Sequence, residues 1–163
     1  MGSDRSRTLF DARRQLRYSA LAFAIAFVVH GADHAIRGFT GDDHHAAWPG
    51  WFQLLMGVLT VLIAAVIVGV AFAGYRHAPL ICALVGLGVG VFFLALHGLP
   101  AMGHITDSFV SAGSGARVTD FSWMTAAAGT ISALVLGAIG LRAWLRARTP
   151  SSADSLTPSG QRE

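Results

Sequence analysis

Four long apolar runs, separated by short polar connections, dominate the chain. The first extends from about Leu16 to Ile36, the second from about Trp51 to Tyr75, the third from about Pro79 to Leu99 and the fourth from about Phe121 to Leu145. A helix needs roughly 20 mostly apolar residues to cross the hydrocarbon core of a bilayer. Backbone groups in lipid must find their hydrogen bonds within the segment, so helices are the only fitting assignment at these lengths. The second run carries no charge at all, and Pro79 opens the third where a first helical turn tolerates it. The expected fold is all-α: an integral membrane four-helix bundle over residues 16–147. Polar tails at 1–15 and 148–163 flank it, and both are expected to be disordered.

Composition supports this picture. Apolar residues make up 53% of the 163 positions and charged residues 13%, against about 25% charged in ordinary soluble domains. The chain therefore has too little polar surface to cover a body in water. The first run has an Arg-rich lead like a secretory leader. It is long, however, it continues into His30, Asp33, His34 and Arg37, and no small-x-small cleavage site closes it, so retention is expected. All twelve basic residues are Arg, with no Lys or Asn anywhere. This bias points to a high-GC bacterial genome and says nothing about mechanism.

Arginine placement sets an expected orientation. Arg5, Arg7, Arg13, Arg14 and Arg17 lie before or at the start of the first span, Arg76 lies in the second connection, and Arg142, Arg146 and Arg148 close the fourth. The first and third connections hold Asp42, Asp43, Asp107 and Asp120 against only Arg37 and Arg117. By the positive-inside rule both ends are cytoplasmic and the protein is a multi-pass plasma-membrane protein. The basic pI then reports topology, and no nucleic-acid partner is expected.

Small residues mark helix contacts in lipid. Gly86 and Gly90 form a GxxxG step in the third span, and Gly129, Ala133 and Gly137 recur every four residues in the fourth. Such stripes predict close contact within the bundle or in a homo-oligomer or larger membrane complex. His97 lies seven residues beyond Gly90, nearly two turns, and so shares its stripe.

Six of the seven histidines, His30, His34, His44, His45, His97 and His104, fall toward the expected outer side, with His77 alone at the other. The compact core is His30-Gly-Ala-Asp33-His34. Histidines at i and i+4 share a helix face and can present two nitrogens to one ion, with a carboxylate as a third ligand. The expected ligand set is His30, Asp33, His34 and His97, with His104 joining if the chain turns back after Pro100. Imidazoles suit zinc or copper better than magnesium. Ionisable residues within a span are functional candidates by default.

Other readings compete. Haem b held by His30 and His97 would make an electron carrier. A histidine cluster can also sense pH. Asp33 and Arg37 form a favourable helix pair that can simply neutralise two charges. A small accessory or structural subunit, with histidines that are only interfacial, needs no ligand. No nucleophilic Ser or Cys is placed near these histidines and no phosphate-binding loop occurs, so an enzyme has thin support. Cys82, the single cysteine, reads as a buried small hydrophobe.

Overall fold

The computed structural model describes residues 2–40, 50–99 and 118–148. They form four helices: α1 (Gly2–Thr40), α2 (Gly50–Ala73), α3 (Ala78–Gly98) and α4 (Asp120–Arg148). All four are long and apolar enough to cross a membrane. Their outer surfaces carry large apolar side chains, among them Ile25, Leu54, Leu62, Val66, Leu84, Phe92 and Ile131. In water so much exposed apolar area would be unfavourable by about 25 cal/mol per Å², whereas lipid accepts it.

The first helix is longer than expected. It starts at Gly2, so the segment expected to be a disordered tail is helical. Polarity misled there, because it marks a wet surface rather than a lack of helix. Residues 3–16 contain no Gly or Pro, and Arg, Leu, Ala and Gln are good helix formers. The C-terminal tail from 149 onward lies outside the described residues, as do 41–49 and 100–117.

Contacts define a ring in the order α1, α2, α3, α4, with α3/α4 the most extensive interface and α2/α3 the least. As position rises along α3 it falls along α4: Phe93 meets Gly129, Gly90 meets Leu134, and Gly86 meets Gly137. The same falling register pairs Asp33 with Ser122 across α1/α4 and Arg17 with Phe72 across α1/α2. Neighbours are thus antiparallel, and α1 and α3 are parallel on a diagonal. A short turn through Gly74, at φ +70, reverses the chain between α2 and α3. Both helical ends of the chain therefore lie at one end of the bundle, the Arg-rich one.

The glycine stripes are used within the chain. A Cβ on Gly86 would stand 2.5 Å from the Gly137 nitrogen and 2.6 Å from the Ala133 carbonyl oxygen. These are backbone atoms that cannot rotate away. Gly86→Ala is expected to destabilise the bundle by ~1–3 kcal/mol through overpacking. Gly88→Ala is the control, because nothing lies within 4 Å of its added carbon. Thermal unfolding in detergent should show Gly86→Ala lowered and Gly88→Ala not.

One stripe of α1 faces the bundle axis along its length. It is apolar at Leu16, Ala20, Phe23 and Phe27, then polar at His30, Asp33 and Arg37. On α3 the matching stripe runs Cys82, Gly86, Gly90, Phe93 and His97. The diagonal arrangement brings the polar ends of both stripes together.

Candidate metal centre

The site sits where α1, α3 and α4 converge, at the end of the bundle opposite the Arg-rich one. Its floor is aromatic. Phe27 packs against Phe93 at 5.5 Å between centroids, and Phe93 lies 5.0 Å from the His30 ring and 5.4 Å from the His97 ring. Gly129 makes room for Phe93, since a Cβ there would be 2.9 Å from its ring. This layer separates the apolar core from the histidines.

Three imidazoles converge above it. His30 Nε2 lies 3.1 Å from His97 Nε2 and 3.1 Å from His34 Nε2. One ligand nitrogen from each of the three falls within 4.8 Å of the others. His30 and His97 are buried and His34 is half-buried. The i, i+4 spacing on α1 and the glycine-stripe register on α3 thus bring together the residues they were expected to.

Hydrogen bonds from α4 orient the central ring. Thr125 Oγ1 donates to the Ser122 carbonyl at 3.0 Å. Its proton is thereby used, so at 3.2 Å it accepts from His30 Nδ1. In the neutral ring the Nδ1 proton leaves the lone pair on Nε2, directed at His34 and His97. Ring orientation by an outer hydrogen bond is the usual companion of a metal-binding histidine. At His34 the relation is reversed: Arg37 Nη2 donates to Nδ1 at 3.3 Å. For neutral His34 to offer a lone pair at Nε2, the proton must move to Nδ1, and Arg37 Nη2 must then give way.

Asp33 faces elsewhere. Its Oδ2 accepts from Arg37 Nε at 3.0 Å and its Oδ1 from Ser122 Oγ at 3.0 Å. Ser122 is in turn linked to Thr119 at 3.1 Å between hydroxyl oxygens. With both oxygens engaged, the carboxylate supports the wall of the site and does not join the three nitrogens, contrary to its expected place as a ligand. His104, the remaining expected ligand, lies outside the described residues, as do His44 and His45. His77 sits at the other end, at the start of α3.

The haem expectation meets an obstacle. A planar macrocycle must pass between two axial histidines. Here the His30 and His97 rings touch edge to face, with centroids 4.9 Å apart. A porphyrin would require α1 and α3 to part.

Sequence reasoning did not find Ser122 or Thr125. Helical Ser and Thr commonly bond their own backbone, as Thr130 does to the Ala126 carbonyl and Ser132 to the Gly129 carbonyl. Nothing in the order of residues says that the Thr125 oxygen also faces α1.

Comparison with protein-family models, with curated proteins and with solved structures finds no match to this chain. What the site can do is therefore read from its own geometry.

Proposed function

We propose that this protein binds one divalent transition-metal ion through His30, His34 and His97, within a bundle that spans the plasma membrane of a high-GC bacterium with both termini cytoplasmic and the site toward the outer leaflet. One observation carries the reading. The central nitrogen, His30 Nε2, has two imidazole nitrogens at 3.1 Å. A ring nitrogen has a single in-plane position, either a proton or a lone pair, so it can make a well-directed bond to only one of them. An ion satisfies all three nitrogens at once. With metal–nitrogen bonds of about 2.0–2.1 Å, tetrahedral ligands stand roughly 3.3 Å apart, close to the observed spacing.

Three neutral imidazoles favour zinc or copper over harder cations. They also leave one coordination position for water or for a ligand from elsewhere. The accessory-subunit reading is the alternative, in which the same groups are a polar core that holds three helices in register.

Elemental analysis of protein purified without chelator tests the proposal. It is expected to give one zinc or copper per chain and no Soret absorbance. Apo-protein that takes up neither metal at micromolar concentration would leave the structural reading in its place. Thr125→Val keeps the shape of the side chain but removes the acceptor for His30 Nδ1. It is expected to weaken metal affinity 10–100-fold, the usual effect of losing an outer partner, as measured by competition with a chromogenic chelator.

A further inference from the structure

At the opposite end of the bundle lies a feature that the metal centre does not use. A cleft of about 390 Å³ opens between α1 and the C-terminal turn of α2, lined by Phe10, Arg13, Arg14, Arg17, Tyr18 and Phe72. Its volume is within the range of small-ligand sites. Three guanidinium groups line it, and no carboxylate does among the described residues. Arg17 Nη2 donates to the Phe72 carbonyl at 3.3 Å, one of the backbone acceptors that a helix end leaves open. Its guanidinium also lies over the Phe72 ring, 5.2 Å from the centroid. That docking fixes one wall. Arg17 Nε is buried and has no hydrogen-bond partner among the described residues. Arg14 lies over the Tyr18 ring at 5.4 Å, and Phe10 and Tyr18 stand largely exposed at the rim.

We infer that this cleft binds the phosphodiester headgroup of an anionic phospholipid. Three cations share one concavity with no counter-charge among its described lining residues, and an anion relieves their repulsion. The aromatic side chains at the rim suit the glycerol and upper acyl region, and the cleft lies about 20 Å along α1 from His30 at 1.5 Å per residue, on the other face of a bilayer-sized bundle. Basic pockets between spans at a membrane face recognise headgroups in this way.

Arginine at a membrane rim also follows from topology alone, and the molecule supplies its own control. Arg142 and Arg146 on α4 occupy the same rim but border only a crevice of about 30 Å³. They give equal charge without a cleft.

The full-length protein would be purified in nanodiscs of phosphatidylglycerol and phosphatidylcholine at one to three. Co-retained lipid would then be measured by native mass spectrometry after transfer to neutral detergent. The unaltered chain is expected to retain phosphatidylglycerol over phosphatidylcholine by about tenfold or more. Arg13→Gln with Arg14→Gln should abolish that preference, while Arg17 is kept because it anchors α2. Arg142→Gln with Arg146→Gln should preserve it. Inorganic phosphate at millimolar concentration should not displace the lipid. Equal retention of the two lipids by the unaltered chain would overturn the inference without reliance on any variant. So would equal losses in the two double variants, which would mean rim charge alone, or displacement by phosphate, which would mean a soluble anion.

Discussion

Replacing His30 by alanine is expected to take bound zinc or copper from one ion per chain to background. His30 is the hub of the cluster: its Nε2 is the atom that lies 3.1 Å from both other nitrogens. Without it, two imidazoles remain on diagonal helices, with ring centroids 5.9 Å apart, and Thr125 Oγ1 loses the N–H that it accepts from. Loss of an outer hydrogen bond alone costs 10–100-fold in metal affinity, so loss of this ligand should exceed ~100-fold. His77→Ala is the matched control, because that imidazole stands at the far end of α3 and makes no side-chain cap bond. The truncation also opens space beside Phe93, so helicity and thermal unfolding of the metal-free protein must be compared in parallel. A folded His30→Ala protein that still bound one ion would remove the three-histidine centre from consideration.

The bundle itself was legible in the chain. Run length and hydropathy decide between water and lipid with margins that local detail cannot reverse, and the helix bounds fall within a few residues of expectation at most ends. The exception is the start of α1, where a polar segment continues the helix to Gly2. The site was legible in part. Histidines at 30 and 34 share a face by helix geometry alone, and His97 follows from the glycine stripe. What could not be read was the ring order of the helices, since the first and third connections are long enough to permit others. That order puts α1 and α3 on a diagonal and brings α4 alongside α1. Ser122 and Thr125 acquire their positions beside α1 only through it, and so does the bond between Asp33 and Ser122. A carboxylate three residues from His30 flanks the same face, but its partner is chosen by whichever helix stands next to it.

Asp33→Ala is therefore expected to act on stability first. Asp33 and Arg37 form an ion pair at 3.0 Å with side chains 6% exposed on each partner, and Ser122 adds a second bond to the carboxylate. Breaking a buried pair by removing one member costs about 3–5 kcal/mol, because the other charge keeps its burial and loses its compensation. Replacing both members by apolar side chains of similar volume is often close to neutral. Asp33→Leu with Arg37→Met should therefore recover most of the stability lost in Asp33→Ala, as read from thermal unfolding in detergent. The same double variant separates the two roles that Asp33 can have. If Asp33 is a wall of the site, the double variant keeps His30, His34, His97 and the Thr125 bond, and it loses the Arg37 donor that competes for His34 Nδ1. It should then bind one ion at least as tightly as the unaltered chain. If Asp33 is a ligand, affinity falls in the double variant even though its stability returns. Metal affinity that stays low in the double variant after its stability has returned would place Asp33 among the metal-binding groups after all, and metal binding retained alongside the recovered stability would assign it to the scaffold that holds three helices around the histidines.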